Sequence, residues 1–105
     1  MKIYSGERTI DGLKVTVDGK ALDERFDLMV FEENGFEWSY RGDAPRQLAL
    51  AILADYFAEA EQAKENVEVF MTAVVANFDN DWTLNEDEIK AALSLPKDQA
   101  IDDPG

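Results

Sequence analysis

The amino-acid sequence predicts an α+β fold, a small antiparallel β-sheet of three to four strands followed by three helices packed on one face. Three observations carry that reading. Residues 1–42 alternate apolar and polar side chains between glycine-containing turns, the stretch from Asp43 onward repeats its apolar residues at helical spacing, and the two patterns do not interleave. A chain of 105 residues has room for one domain. That domain is read as 1–94, with residues 95–105 as a flexible acidic tail ending in Asp102-Asp103-Pro104-Gly105.

In the first half, Leu13, Val15 and Val17 alternate with Lys14 and Thr16, and Asp18-Gly19 follows at once. That dipeptide suits the positive-φ positions of a tight hairpin, with Lys20-Ala21-Leu22 starting the returning strand. Further strands are read at 3–10 and within 20–31, where Leu28-Met29-Val30-Phe31 runs into the turn Glu32-Glu33-Asn34-Gly35. Phe36, Trp38 and Tyr40 then alternate with Glu37, Ser39 and Arg41, which predicts a strand with three rings on one face.

A helix is predicted from Asp43-Ala44-Pro45. Asp43 is read as accepting from free amides of the first turn, and Pro45 lacks only an N–H that such a turn leaves unpaired. Leu48, Ile52 and Tyr56 stack at i, i+4, i+8, with Ala49, Leu53 and Phe57 beside them and Leu50, Ala51 and Ala54 around the remainder. Such a helix is central and nearly buried. A second is predicted over 61–78, where Val67, Phe70, Met71, Val74 and Phe78 oppose Glu61, Glu65 and Glu68. A third begins near Leu84, with two rival caps: Asn85, making a capping box with Glu88 and a hydrophobic staple between Leu84 and Ile89, or Thr83 with Glu86. The expected interior is built on Trp38, Leu48, Ile52, Leu53 and Phe70.

Composition bounds the chemistry. Cysteine and histidine are absent, which excludes disulfides, thiolate catalysis, Cys/His zinc sites, haem ligation through either residue and histidine-based triads. Acids number 23 against 10 bases, a net charge of -13. That balance argues against direct binding to nucleic acid or to an anionic membrane, where cationic side chains must meet phosphate. The amino terminus turns polar at once and the longest apolar run, Leu48 to Ala54, is seven residues, so a cytoplasmic location is expected, with no membrane association.

Candidate sites follow from the charged and aromatic residues. Asp79, Asp81, Glu86, Asp87 and Glu88 invite a calcium-loop reading, but counting from Asp79 puts Leu84 where the bend-forming glycine belongs and Lys90 where the bidentate carboxylate belongs. No metal and no cofactor is expected. Asp55 interrupts an apolar helix next to Tyr56; a buried, hydrogen-bonded role and a catalytic one are both weighed for it, and the sequence leaves its burial open. Arg41 and Arg46 flank the entrance to the central helix and form a candidate anion or partner contact, set against structural pairing with nearby acids. Glu61, Glu65 and Glu68 make an acidic stripe, and Trp82 is read either as a ring at the core edge or as an aromatic anchor for a partner.

The run from Gly35 to Asp55, with its aromatic Phe36-Glu37-Trp38-Ser39-Tyr40, the turn Arg41-Gly42-Asp43-Ala44-Pro45 and the helix Gln47-Leu48-Ala49-Leu50-Ala51, resembles a family of bacterial and phage proteins known as domain of unknown function 6166. The likeness extends from Tyr4 and Gly6 through Asp18-Gly19 and Leu22 to Trp82, Leu84, Glu88 and Ile89. It implies a shared fold and no particular activity.

The expected function is that of a non-enzymatic acidic interaction module with a protein partner, a basic nucleic-acid-binding protein being the kind its charge suits. From Ala44 onward 13 acids face 4 bases, and a rigid acidic face competes for cationic surfaces that otherwise meet phosphate. The alternatives are a small accessory protein, homo-oligomeric through spare apolar helix surface, whose acidity serves solubility or a salty cytoplasm, and an enzyme working through Asp, Glu, Ser, Tyr, Lys and Arg alone.

Overall fold

The computed structural model describes residues 1–94 and shows an α+β domain. The expected tail lies outside the described residues. The strands are β1 (Ile3–Thr9), β2 (Gly12–Val17), β3 (Lys20–Ala21) and β4 (Trp82–Asn85), and the helices are α1 (Asp43–Phe57), α2 (Ala60–Ala73) and α3 (Glu86–Leu93). All strand pairs are antiparallel, in the order β3-β2-β1-β4. Asp18 and Gly19, at φ 51° and 83°, form the expected tight turn between β2 and β3.

Register decides what the sheet buries. Tyr4 pairs with Val17 on one side and Leu84 on the other, and Gly6 pairs with Val15 and Trp82. Tyr4, Val15, Trp82 and Leu84 are therefore on one face, all buried beneath the helices. Gly6 is required there: a Cβ at this position would lie 2.5 Å from the Trp82 indole. The opposite face carries Ser5, Thr16 and Thr83 outward, with the Ser5 and Thr16 hydroxyls hydrogen-bonded at 3.0 Å.

Two strand expectations are corrected. Residues 36–40 form no strand, because Ser39 takes φ 79°, a left-handed conformation that breaks an extended run. The three rings consequently part company: Trp38 is fully buried while Tyr40 is half exposed. The strand expected within 20–31 stops at Ala21, and residues 25–29 coil into a single turn in which Leu28 and Met29 N–H both reach the Arg25 carbonyl. The fourth strand is instead β4, between α2 and α3 in the chain.

The helices follow their patterns closely, with local differences. Gly42 caps α1, and the Asp43 carboxylate binds Arg46 instead of the free amides. The second helix starts at Ala60, where the Glu59 side chain accepts from Gln62 N–H, and ends at Ala73 before a 3₁₀ turn over Val75–Asn77. Asn85 wins over Thr83 as the cap of α3, with both hydrogen bonds of the Asn85–Glu88 box formed at 2.8 Å. Trp38, Leu48, Ile52, Leu53 and Phe70 are all wholly buried.

Every residue of α1 from Gln47 to Ala54 is buried, so this helix needs cover on every side. The irregular segment between β3 and α1 supplies part of it and is held by Gln47. The Gln47 Oε1 accepts from the N–H groups of Phe31 (2.6 Å) and Glu32 (3.2 Å), and its Nε2 donates to the carbonyls of Glu24 (2.8 Å) and Met29 (3.1 Å). One amide thereby satisfies four backbone groups that no ladder serves. Gln47→Met keeps the volume and deletes all four bonds. It is expected to cost about 3 kcal/mol in urea unfolding, with the Phe31 and Glu32 amides exchanging with solvent ahead of those in α1; unchanged exchange at both would contradict this role.

Candidate functional site

The surface offers three places where polar side chains converge: the α1–α2 junction, the amino-terminal end of β1 against α1, and the irregular segment. At the first, Arg46 bridges two acids. Its guanidinium meets the Glu68 carboxylate through Nε at 2.8 Å and Nη2 at 3.1 Å, and Asp43 through Nη1 at 2.9 Å. The paired guanidinium holds Glu68 below the usual carboxylate range and is itself raised by the pairing. Arg46 therefore ties α1 to α2, the structural role weighed against anion binding. Arg41 is exposed and makes no hydrogen bond or ion pair among the described residues.

The acidic stripe of α2 is partly neutralised. Glu61 pairs with Lys64 at 3.3 Å and Glu68 with Arg46, which leaves Glu65 exposed with no cationic partner among the described residues. Trp82 belongs to the core. It stacks on Phe78 at a centroid distance of 4.1 Å and 10°, and meets Trp38 edge-on at 5.7 Å. Its indole N–H is buried without a hydrogen-bond partner among the described residues.

At the second place, the Tyr4 hydroxyl donates to Asp55 Oδ2 at 2.7 Å, and Lys2 Nζ donates to the same oxygen at 3.0 Å. The Lys2 backbone N–H binds Glu86 at 3.0 Å, and the Ile3 N–H binds Asp18 at 2.8 Å. Burial first, and then the hydrogen bond to Asp55, push the Tyr4 hydroxyl well above its ordinary range. Asp55 is thus hydrogen-bonded to Tyr4 and Lys2 but only partly buried, its side chain being 30% exposed. The group joins β1, α1 and α3.

The third place was not visible as a site in the sequence. Arg8 reaches Glu37 (2.9 Å), Asn80 Oδ1 (3.2 Å) and the Trp38 carbonyl (3.3 Å), with its guanidinium 4.7 Å above the Trp38 ring. The Trp38 indole N–H donates to the Asn80 carbonyl at 3.2 Å. Arg8 and Gln47 together pin the segment from residue 22 to 42. The only forewarning is Arg8 standing in the same alternation class as Tyr4 and Gly6, an arginine on a face meant for the interior.

Two shallow concavities lie on the sheet. One of about 460 Å³ covers the outward face around Ser5, Glu7, Lys14, Thr16 and Thr83, and one of about 570 Å³ runs between β2, Leu22 and Phe36. Among the described residues no three or more His, Cys, Asp or Glu are arranged to hold a metal ion, and no helix is long and apolar enough to cross a membrane.

A family model described as a family of unknown function, DUF6166, matches residues 4–95. The chain belongs to DUF6166. No curated protein and no solved structure matches it. The matched span takes in Tyr4, Gln47 and Asp55, so in this DUF6166 chain the Gln-Leu-Ala-Leu-Ala run opens with the residue that clamps the irregular segment and leads to the one that binds the Tyr4 hydroxyl.

The Tyr4–Asp55 bond carries a pH signature. An unfolded tyrosine loses its proton near pH ~10, whereas Tyr4 in the fold keeps its proton beyond that. The stability it contributes is complete below pH ~10 and falls as pH rises further. Tyr4→Phe should lower stability by about 1–2 kcal/mol at neutral pH and flatten the decline between pH 10 and 11 in urea titrations. A variant retaining the full alkaline slope would show that other groups cause it.

Proposed function

We propose that the chain is a non-enzymatic protein-interaction module of the cytoplasm whose acidic surface receives a basic protein, including proteins that bind nucleic acid. The observation that carries this reading is where the bases go. Lys2, Arg8, Arg25, Arg46 and Lys64 are each ion-paired to a carboxylate of the same chain, most of them holding elements together. Among the described residues Asp27, Asp43, Glu37, Asp55, Glu61 and Glu68 are neutralised in this way, and the other acids, Glu65 included, outnumber the unpaired bases Lys14, Lys20, Arg41 and Lys90 and set the sign of the outward field. Such a field steers a cationic partner over several ångströms at low salt and weakens as counterions screen it. Of the carboxylates shifted by their surroundings, Asp27 and Glu68 both move down beside arginine, which favours the ionised form over a proton donor's.

One observation favours a second reading, acidity as a solubility or high-salt device: carboxylates occur on every helix, in both hairpin turns and in the long irregular segment. Immobilised chain exposed to host lysate separates the two. The interaction reading expects basic proteins, identified by mass spectrometry, to be retained at 50 mM salt and released by 500 mM. No basic protein retained at 50 mM would defeat it. The salt-adaptation reading expects the melting temperature to keep rising between 1 and 3 M KCl, where the Debye length is already about 3 Å or less and simple self-repulsion no longer contributes.

A further inference from the structure

Phe26, Met29 and Val30 present apolar side chains to solvent within five residues, at 38, 42 and 54% exposure. Isolated exposed apolar residues need no explanation, but three on one short turn do. The 25–29 turn brings Phe26 and Met29 to i, i+3 spacing, where side chains are neighbours, and Val30 follows directly. Beside them in the chain stand Asp23 and Glu33, exposed and without an ion-pair partner among the described residues, and Asp27, exposed and paired to Arg25.

Hydrogen bonds hold this turn from both sides. Arg25 N–H donates to Asp23 at 2.7 Å, and the Arg25 guanidinium forks onto Asp27 at 3.0 and 3.1 Å. Glu32 accepts from Asn34 through backbone and side chain, and Gln47 fixes the carbonyls of Glu24 and Met29 from below. A wholly buried glutamine is thus used to hold in place a loop that turns Phe26, Met29 and Val30 outward while Leu28 and Phe31 pack against the core. Arg25 sits at φ 59°, a conformation disfavoured for a long side chain, and the surrounding bonds sustain it. A loop ordered in advance loses little further entropy when something docks on it.

We propose that the turn at residues 23–33 is a docking surface for a basic amphipathic segment of another protein, its apolar side chains meeting Phe26, Met29 and Val30 and its lysines or arginines meeting the surrounding carboxylates. Charge complementarity selects this occupant: the acids repel a nucleic acid or an anionic membrane, and a purely cationic chain leaves the apolar centre uncovered. The proposal rests on the acidic-module reading and gives it a location.

Two 14-residue synthetic peptides of equal charge test it by ¹⁵N chemical-shift titration of the full chain at 50 mM salt. One places leucine and lysine at amphipathic helical spacing, and the other is made of lysine and glycine. The leucine peptide should bind at least tenfold more tightly, with the largest shifts over residues 23–33. Met29→Ser with Val30→Ser, both on exposed side chains, should bring its affinity down to that of the glycine peptide while the spectrum elsewhere stays folded. Equal affinities, or shifts centred on residues 59–68, would overturn the docking surface and leave the charge-based reading standing. No binding of either peptide would overturn both.

Discussion

Burial of α1 on all sides is the constraint from which the other features follow. A helix apolar around its circumference cannot rest on a sheet alone, since a sheet covers one side. Tyr4 and its neighbours cover the first side and Phe70, Met71 and Val67 of α2 a second, while the remainder falls to a segment with almost no regular structure. Irregular backbone laid against a buried helix brings polar groups that must find partners. Gln47 meets that need from within the helix, because a primary amide offers two donors and an acceptor with two lone pairs in one plane. An apolar residue at this position would fit the helix and strand the segment.

Much of this architecture was legible in the sequence. Periodicity identified α1 and most of α2, the Asp18-Gly19 pair identified its turn, and the spacing of Asn85 and Glu88 identified the start of α3. These are local signals, complete within a few residues. The aromatic segment misled because Phe36, Trp38 and Tyr40 alternate like a strand, while what places them is distant: Ser39 N–H bonds the Val75 carbonyl, Ser39 Oγ the Phe78 carbonyl and the Trp38 indole the Asn80 carbonyl. β4 escaped notice because Leu84 serves two purposes. Its side chain fills the core from a strand, and it also precedes a capped helix, the feature that local reading detects first.

The ion pairs divide along the same line. Glu61 and Lys64, three residues apart on one helix, are predictable from spacing. Arg46 with Glu68 and Arg8 with Glu37 join residues 22 and 29 positions apart, which no local pattern encodes. Those distant pairs changed the standing of the candidate site most. The α2 stripe loses Glu68 to the distant Arg46, beyond the local pairing of Glu61 with Lys64, and Arg46 becomes a brace between helices. Trp82, close over Gly6, becomes part of the interior.

Internal use of the bases links the fold to its surface chemistry. Lys2, Arg8 and Arg46, drawn into pairs with Asp55, Glu37 and Glu68, tie separate parts of the chain together, each cancelling one carboxylate of the field felt outside. In a chain with more than twice as many acids as bases, such ties cancel one charge of each sign and leave the excess of carboxylates to set the exterior field. Self-repulsion then acts against compaction, and the burden of holding the chain together shifts to apolar burial around α1 and to uncharged devices such as Gln47 and the Tyr4 hydroxyl. The segment those devices order is the one that combines exposed apolar side chains with exposed carboxylates. The interior of this protein thereby determines which part of an acidic surface also carries exposed apolar side chains on a hydrogen-bonded loop.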